Sequence, residues 1–159
     1  MRVAERDQTV AEEIMNALSH GLGLLLAIAS LPILVWSASR QSAAAVVGAS
    51  LFAGTMILLY GVSTLYHALP LGRAKDWFNR LDHAAIYLFI AGSYMPFLFG
   101  VLRGPWGWAL FGALCGAAVL GVAAKLFNRL RHPLWSTGLY VAMGWMALMA
   151  AVPLYERMS

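Results

Sequence analysis

Charged residues are scarce in this chain, and their positions matter as much as their number. Only 11% of the 159 residues are Asp, Glu, Lys or Arg, whereas 61% are apolar. A soluble domain usually carries about 25% charged residues. Four of the seven acids precede the first long apolar run, and the others lie between or after such runs. Charge confined to the gaps between apolar stretches is typical of a membrane protein.

Cysteine is almost absent, which excludes two kinds of cross-linked site. The single cysteine, Cys115, lies inside an apolar run, so the chain has neither an intrachain disulfide nor a CxxC metal motif. We interpret Cys115 as a small buried apolar residue. The net charge of +4 does not indicate nucleic-acid binding, because the basic residues stand in small groups beside apolar runs.

Long apolar runs are what the chain has instead. A membrane-spanning helix needs roughly 20 mostly apolar residues. Five stretches qualify, and none of them contains Asp, Glu, Lys or Arg: 18–36, 43–66, 84–102, 106–124 and 135–154. The connections between them are short, so the sequence predicts an all-α membrane protein, a bundle of five transmembrane helices in one domain, 1–159.

Lysine and arginine predict the orientation of this bundle. With a cytoplasmic N-terminus, the inner segments hold eight basic residues and the outer segments hold three. The excess on one side is the positive-inside signal. We therefore expect a multi-pass protein of the inner (plasma) membrane with its N-terminus in the cytoplasm.

Small residues at four-residue spacing mark candidate helix contacts. The pairs are Gly112 with Gly116, Ala44 with Gly48, and Ser50 with Gly54. Such pairs allow the backbones of two helices to approach closely. The alternative is that glycine and alanine are simply common in this chain.

Polar residues gather at the predicted inner ends of the first three spans. Glu13, Asn16, Ser19 and His20 open the first span, Ser63 and His67 close the second, and Asp82 and His83 open the third. Ser63 and His67 share a helix face because they are four residues apart. Glu13, Asn16 and His20 also align if the first helix begins ahead of its apolar run. The outer ends offer no comparable group.

Imidazole and carboxylate groups at one depth suggest metal chemistry. A catalytic zinc takes three protein ligands and a water whose pKa it lowers to about 7. His67, Asp82 and Ser63 supply part of such a site but not all of it. Other interpretations stay open: His67 facing the headgroups, Ser63 bonding its own helix, Asp82 capping the third helix, and His132 as an ordinary loop residue.

Several ordered motifs carry a family resemblance. They are residues 13–20 (EIMNALSH), 63–67 (STLYH), 81–87 (LDHAAIY), 91–97 (AGSYMPF) and 140–145 (YVAMGW). With these motifs the chain resembles the hemolysin III family, the bacterial branch of the progestin and adiponectin receptor superfamily. The resemblance implies a seven-helix bundle with a cytoplasmic N-terminus and a zinc ion near the cytoplasmic side.

The resemblance also implies roles for individual residues. His67 is the implied zinc ligand, Asp82 holds a zinc-bound water, and Ser63 lies beside it. Glu13, Asn16 and His20 match the first motif, and we expect them to support the site. The family takes two further histidines from an HxxxH motif in its last helix, and this sequence has no such motif. We therefore expect a chain truncated before the last two helices, with an incomplete ligand set and a tendency to self-associate.

Three classes of function follow from these expectations. The first is a zinc-dependent hydrolase of a lipid amide or ester, against which the missing zinc ligands argue. The second is a pore-forming haemolytic channel, which needs polar residues across the whole bilayer, and the outer halves offer none. The third is a non-catalytic membrane protein that adjusts the state of the bilayer or senses lipid. We favour a hemolysin III-like membrane protein with a zinc-type site and a role in membrane lipid homeostasis or cytolysis.

Overall fold

The computed structural model describes residues 8–102, 104–127, 129 and 133–148. These residues form five helices: α1 (Val10–Ser39), α2 (Ala43–Ala68), α3 (Arg73–Gly100), α4 (Pro105–Leu126) and α5 (Pro133–Trp145). Helices α1 to α4 are long and apolar enough to cross a bilayer. The all-helical membrane fold is thereby confirmed. The end of the fifth predicted span, 149–154, and His132 lie outside the described residues, so the count of five spans stays a prediction.

Helix α1 begins earlier than its apolar run, at Val10 rather than at residue 18. A capping box explains this start. The Thr9 side chain accepts from the backbone N–H of Glu12 at 3.3 Å, and the Glu12 carboxylate accepts from the backbone N–H of Thr9 at 2.7 Å. The early start brings Glu13 and Asn16 into the helix, as the spacing required.

Helix α3 also begins earlier than predicted, at Arg73 rather than at residue 84. Gly72 precedes it with a φ of 150°, a conformation that a glycine adopts without strain. The prediction placed the start at the edge of the apolar run, but the polar segment before that run is helical too. Asp82 therefore lies inside α3, and the interpretation of Asp82 as a helix cap is wrong.

The helices pack mostly against their neighbours along the chain. Helix α1 lies along α2, α2 along α3, and α3 along α4, while α5 contacts both α3 and α4. Helix α3 is therefore central and supplies much of the core. Tyr87, Leu114 and Met143, from three different helices, are fully buried. The Tyr94 hydroxyl of α3 lies 2.8 Å from the Met143 carbonyl oxygen of α5, to which it donates.

The outer surface of the bundle is apolar. On α1, Leu22, Leu25 and Leu26 are 59%, 65% and 63% exposed. Such a continuous apolar surface is unusual for a soluble monomer and is the surface that lipid tails cover. The described structure therefore agrees with the composition in indicating a protein embedded in lipid.

One of the predicted small-residue contacts is a close helix crossing. A Cβ atom added at Gly48 of α2 would lie 2.6 Å from the Met95 carbonyl oxygen and 3.0 Å from Pro96 Cα, both on α3. Added Cβ atoms at Gly54, Gly112 and Gly116 would meet no atom within 4 Å. Among these glycines, only Gly48 permits a close approach of two helices within the described residues.

Candidate functional site

Five polar side chains meet where α1 begins, α2 ends and α3 begins. They are Glu13 and His20 of α1, Ser63 and His67 of α2, and Lys75 of α3, and we call them the polar cluster. Ser63, His67 and Lys75 are only 3%, 9% and 7% exposed. Buried polar groups normally need hydrogen-bond partners, and these groups supply partners for one another.

Glu13 is the centre of one half of the polar cluster. Its Oε2 atom lies 2.7 Å from Nδ1 of His67, and its Oε1 atom lies 2.9 Å from Nζ of Lys75. The carboxylate thus contacts a side chain from each of the other two helices. An ionised carboxylate only accepts hydrogen bonds, so the Nδ1 atom of His67 carries a hydrogen and is the donor in this hydrogen bond.

His20 and Ser63 form the other half of the polar cluster. The Nδ1 atom of His20 and Oγ of Ser63 lie 2.5 Å apart, a short hydrogen bond between α1 and α2. The His20 ring also stands edge-on to the His67 ring, with 5.3 Å between their centroids. Ser63 therefore binds the neighbouring helix rather than its own. The two halves form one continuous group.

Asp82 is apart from these contacts. It is half-buried on α3, and it makes neither a hydrogen bond nor an ion pair with the described residues. The Tyr140 hydroxyl of α5 donates to the carbonyl oxygen of His83, the residue after Asp82, at 2.8 Å.

Asn16, which was predicted to support the site, contacts a residue outside the polar cluster. Its side-chain amide donates to Oε1 of Gln8, just before the start of α1, at 3.3 Å. The predicted site residues that meet are thus Glu13, His20, Ser63 and His67.

Lys75 is the member of the polar cluster that sequence analysis missed. It was counted only as one of the inner basic residues, because lysines between apolar runs usually face water. The turn after α2 brings it back instead, and Nζ donates to the Tyr66 and Leu69 carbonyl oxygens at 3.0 and 3.2 Å. A lysine placed eight residues after a site histidine, across a helix–turn–helix, was the available signal.

The polar cluster fits one ligand position of a zinc site. Metal-binding histidines usually donate their other ring N–H to a carboxylate or carbonyl, which fixes the tautomer. His67 has this arrangement, with Nδ1 on Glu13 and no hydrogen bond from Nε2 to a described residue. Over the described ranges, however, no group of three His, Cys, Asp or Glu side chains is arranged to hold a metal ion. The residues present match one oriented imidazole and do not make a full ligand set.

An apolar cavity lies at the other end of the bundle. Its lining consists of Ala44, Leu98, Phe99, Leu102, Gly107, Trp108 and Phe111. These residues come from the start of α2, the end of α3 and the start of α4, with the segment between them. None of the described residues that line this cavity is titratable, so the titratable groups that meet within the described residues are those of the polar cluster.

Comparison with known proteins gives a consistent result over nearly the whole chain. The sequence model of a family described as "Haemolysin-III related" matches residues 8–159. "Hemolysin-3" of Bacillus cereus is 42% identical over 159 residues, which cover 99% of this chain and 73% of that protein. "Hemolysin-3 homolog" of Bacillus subtilis (strain 168) is 41% identical over 152 residues, which cover 95% and 71%. No solved structure matches the chain.

Proposed function

Because the chain belongs to the haemolysin-III-related family, we propose that this membrane protein holds a zinc-type metal at the polar cluster. His67 is the protein ligand. In this proposal the site lies at the cytoplasmic ends of α1, α2 and α3 and serves a protein that acts on membrane lipid.

The observation that carries the proposal is the geometry of His67. Its Nδ1 atom donates to Glu13 at 2.7 Å, so in the neutral imidazole the lone pair is on Nε2. Neutral imidazole with one nitrogen hydrogen-bonded is a common metal ligand. A bound zinc ion would lower the pKa of a water that it coordinates, or would polarise a carbonyl group of the substrate.

Other residues have secondary roles in this proposal. Asp82 is a further ligand, through a carboxylate oxygen, or the holder of a metal-bound water, and its carboxylate is free of ion pairs with the described residues. Ser63 lies one turn from His67 on the same helix face. His20 supports Ser63 through their 2.5 Å contact. The remaining ligands come from groups other than the described residues.

The orientation and location are part of the same proposal. The distribution of lysine and arginine, eight on one side against three on the other, supports a cytoplasmic N-terminus for α1. The proposed location is the inner (plasma) membrane. Both similar proteins have the word hemolysin in their names. That word supports a role in cytolysis, and a role in membrane lipid homeostasis is the alternative within this proposal.

Metal content is the first test. The purified chain, the His67→Ala variant and the His83→Ala variant are analysed by elemental mass spectrometry in the same detergent. His83 is the matched control, because its Nδ1 atom donates to the Asn79 carbonyl oxygen of its own helix at 2.8 Å. We expect about one zinc per chain, lost in His67→Ala and kept in His83→Ala.

Each other result contradicts a named part of the proposal. Equal zinc in all three proteins removes His67 from the ligand set. If none of the three proteins contains zinc, the proposal that this chain holds a metal is wrong. If zinc is bound as expected, hydrolysis of a lipid amide or ester is assayed next, with Asp82→Asn as the comparison. Hydrolysis lost in that variant would add an enzymatic activity to the proposal.

A further inference from the structure

We propose that Lys75 is a positioning residue for His67 and acts through Glu13. Lys75 holds one oxygen of the Glu13 carboxylate, so that the other oxygen fixes the Nδ1–H tautomer of His67 and leaves Nε2 unprotonated. The inference rests on the proposed function, in which Nε2 binds the metal. It gives Lys75 a role in metal binding in addition to its contacts within the polar cluster.

The environment of Lys75 matches its three N–H donors. Nζ lies 2.9 Å from Glu13 Oε1, 3.0 Å from the Tyr66 carbonyl oxygen and 3.2 Å from the Leu69 carbonyl oxygen. An ammonium group has three donors and no acceptor, so these three contacts satisfy it. The side chain is 9% exposed, and Nζ also stands 4.7 Å from the centroid of the Tyr66 ring. Lys75 therefore has one well-defined position.

Two of these contacts have a structural explanation of their own. The last carbonyl groups of a helix lack partners within that helix, and a lysine nearby can satisfy them. Lys75 does this for Tyr66 and Leu69 at the end of α2. The contact with Glu13 is not explained in this way, because it reaches a third helix. That contact joins Lys75 to His67.

The carboxylate of Glu13 transmits the position of Lys75 to the histidine. Its two oxygens are divided between a donor-only ammonium and the His67 ring nitrogen, so it cannot rotate without losing one contact. The tautomer of a histidine is set by the hydrogen bond that its other nitrogen makes. The same contact also fixes the orientation of the His67 ring, since it ties the ring on α2 to a side chain on α1.

Replacing the Glu13 carboxylate by an amide tests this indirect effect of Lys75 on His67, which we call the relay. In Glu13→Gln, Lys75 still requires an acceptor and takes the amide oxygen, which turns the NH₂ group toward His67. An NH₂ group only donates, so Nδ1 must accept and the ring proton moves to Nε2. That tautomer has no lone pair on Nε2 for a metal. Removing the ammonium as well, in Glu13→Gln with Lys75→Met, frees the amide to turn its oxygen back to Nδ1–H.

The experiment compares three variants with the native chain. They are Glu13→Gln, the double variant with Lys75→Met, and a control double variant with Arg73→Met. Arg73 is exposed in the first turn of the same helix and makes no contact with the polar cluster. The ring nitrogens of His67 are observed by NMR in ¹⁵N-histidine-labelled protein in detergent micelles without metal. Zinc affinity is measured separately by competition with a chelator.

The expected result is a reversal followed by a rescue. His67 is protonated on Nδ1 in the native chain, on Nε2 in Glu13→Gln and in the Arg73→Met control, and again on Nδ1 in the Lys75→Met double variant. Zinc affinity falls about 10–100-fold in Glu13→Gln, the usual effect of losing such a partner. It recovers in part only in the Lys75→Met double variant. A residue with a merely structural role would not restore the tautomer by being removed.

Failure of this inference is distinguishable from failure of the proposed function. An unchanged His67 tautomer in Glu13→Gln, or no rescue by Lys75→Met, overturns the role of Lys75 even if zinc binds. No zinc binding by the native chain overturns the proposed function, while the metal-free NMR result still decides the relay. If Glu13→Gln does not fold, Lys75→Met alone decides. A zinc affinity equal to that of the native chain then overturns the inference, and a loss of about tenfold supports it.

Discussion

The close crossing of α2 and α3 at Gly48 provides a sharp test of the fold. Gly48→Ala introduces a Cβ atom 2.6 Å from the Met95 carbonyl oxygen and 3.0 Å from the Met95 carbonyl carbon. Comfortable carbon–oxygen contacts in helix interfaces are about 3.3–3.6 Å. The neighbour is backbone rather than the end of a flexible side chain, so the two helices must separate locally by about 0.7–1 Å, the difference between these distances.

The size of the effect follows from two opposing contributions. Forcing an extra methyl group into a packed interface costs about 1–3 kcal/mol. Alanine is a better helix former than glycine by about 0.8–1.0 kcal/mol, which offsets part of that cost. Gly54→Ala isolates the second contribution, because Gly54 is exposed on the same helix and its added Cβ meets nothing within 4 Å. The two variants should therefore differ by about 1–3 kcal/mol in unfolding free energy.

The assay is reversible unfolding of the chain in detergent micelles, followed by helical circular dichroism as a denaturing detergent is added. Gly48→Ala should unfold earlier than Gly54→Ala, and Gly54→Ala should match or exceed the native chain. Equal unfolding midpoints for the two variants would show that the α2–α3 crossing is looser than described. A more stable Gly48→Ala would refute the steric argument altogether.

Four further substitutions test the core and its buried hydroxyls in the same assay. Leu114→Ala should lower the free energy of unfolding by about 2–5 kcal/mol because Leu114 is fully buried. Leu120→Ala on the same helix should lower it far less because Leu120 is 70% exposed, and similar losses would contradict the assignment of Leu120 to the lipid-facing surface. Tyr94→Phe should cost about 1 kcal/mol, because its hydroxyl joins α3 to the Met143 carbonyl. Tyr87→Phe should be neutral or stabilising, because that buried hydroxyl has no partner among the described residues; a loss equal to that of Tyr94→Phe would reveal an unseen partner.

The membrane class and the gathering of polar residues at one end of the first helices were readable from the sequence. Apolar runs near 20 residues are long enough to cross a bilayer whatever they pack against, and α1 to α4 confirm four of the predicted runs. Local spacing also indicated that Glu13 and His20 belong to one helix and Ser63 and His67 to another. Helix ends were less well predicted, because α1 and α3 extend into polar segments that hydropathy assigns to loops.

The family motifs were also readable from residue order alone. They indicated the hemolysin III family, which the matching family model and the similar Bacillus proteins confirm. The roles that the family resemblance implies for His67, Asp82 and Ser63 stay predictions. Their test depends on metal content rather than on residue order.

Pairing within the site depended on the packing of the helices. Spacing grouped Asn16 with Glu13 and His20, yet Asn16 contacts Gln8 while Glu13 contacts His67. Residues three, four and seven apart spread over a broad helix face, and the rotation of α1 against α2 selects which of them meet the partner. The sequence specifies the face but not that rotation.

Lys75 shows the same division most clearly. Composition and local order were enough to predict a chain that lies in lipid, with apolar helices and with histidines and acids gathered at one end. They did not predict that a basic residue from a polar connection is buried against Glu13 and the end of α2. Such contacts depend on the turn after α2 and on the distance between three helices, which are properties of the packed bundle.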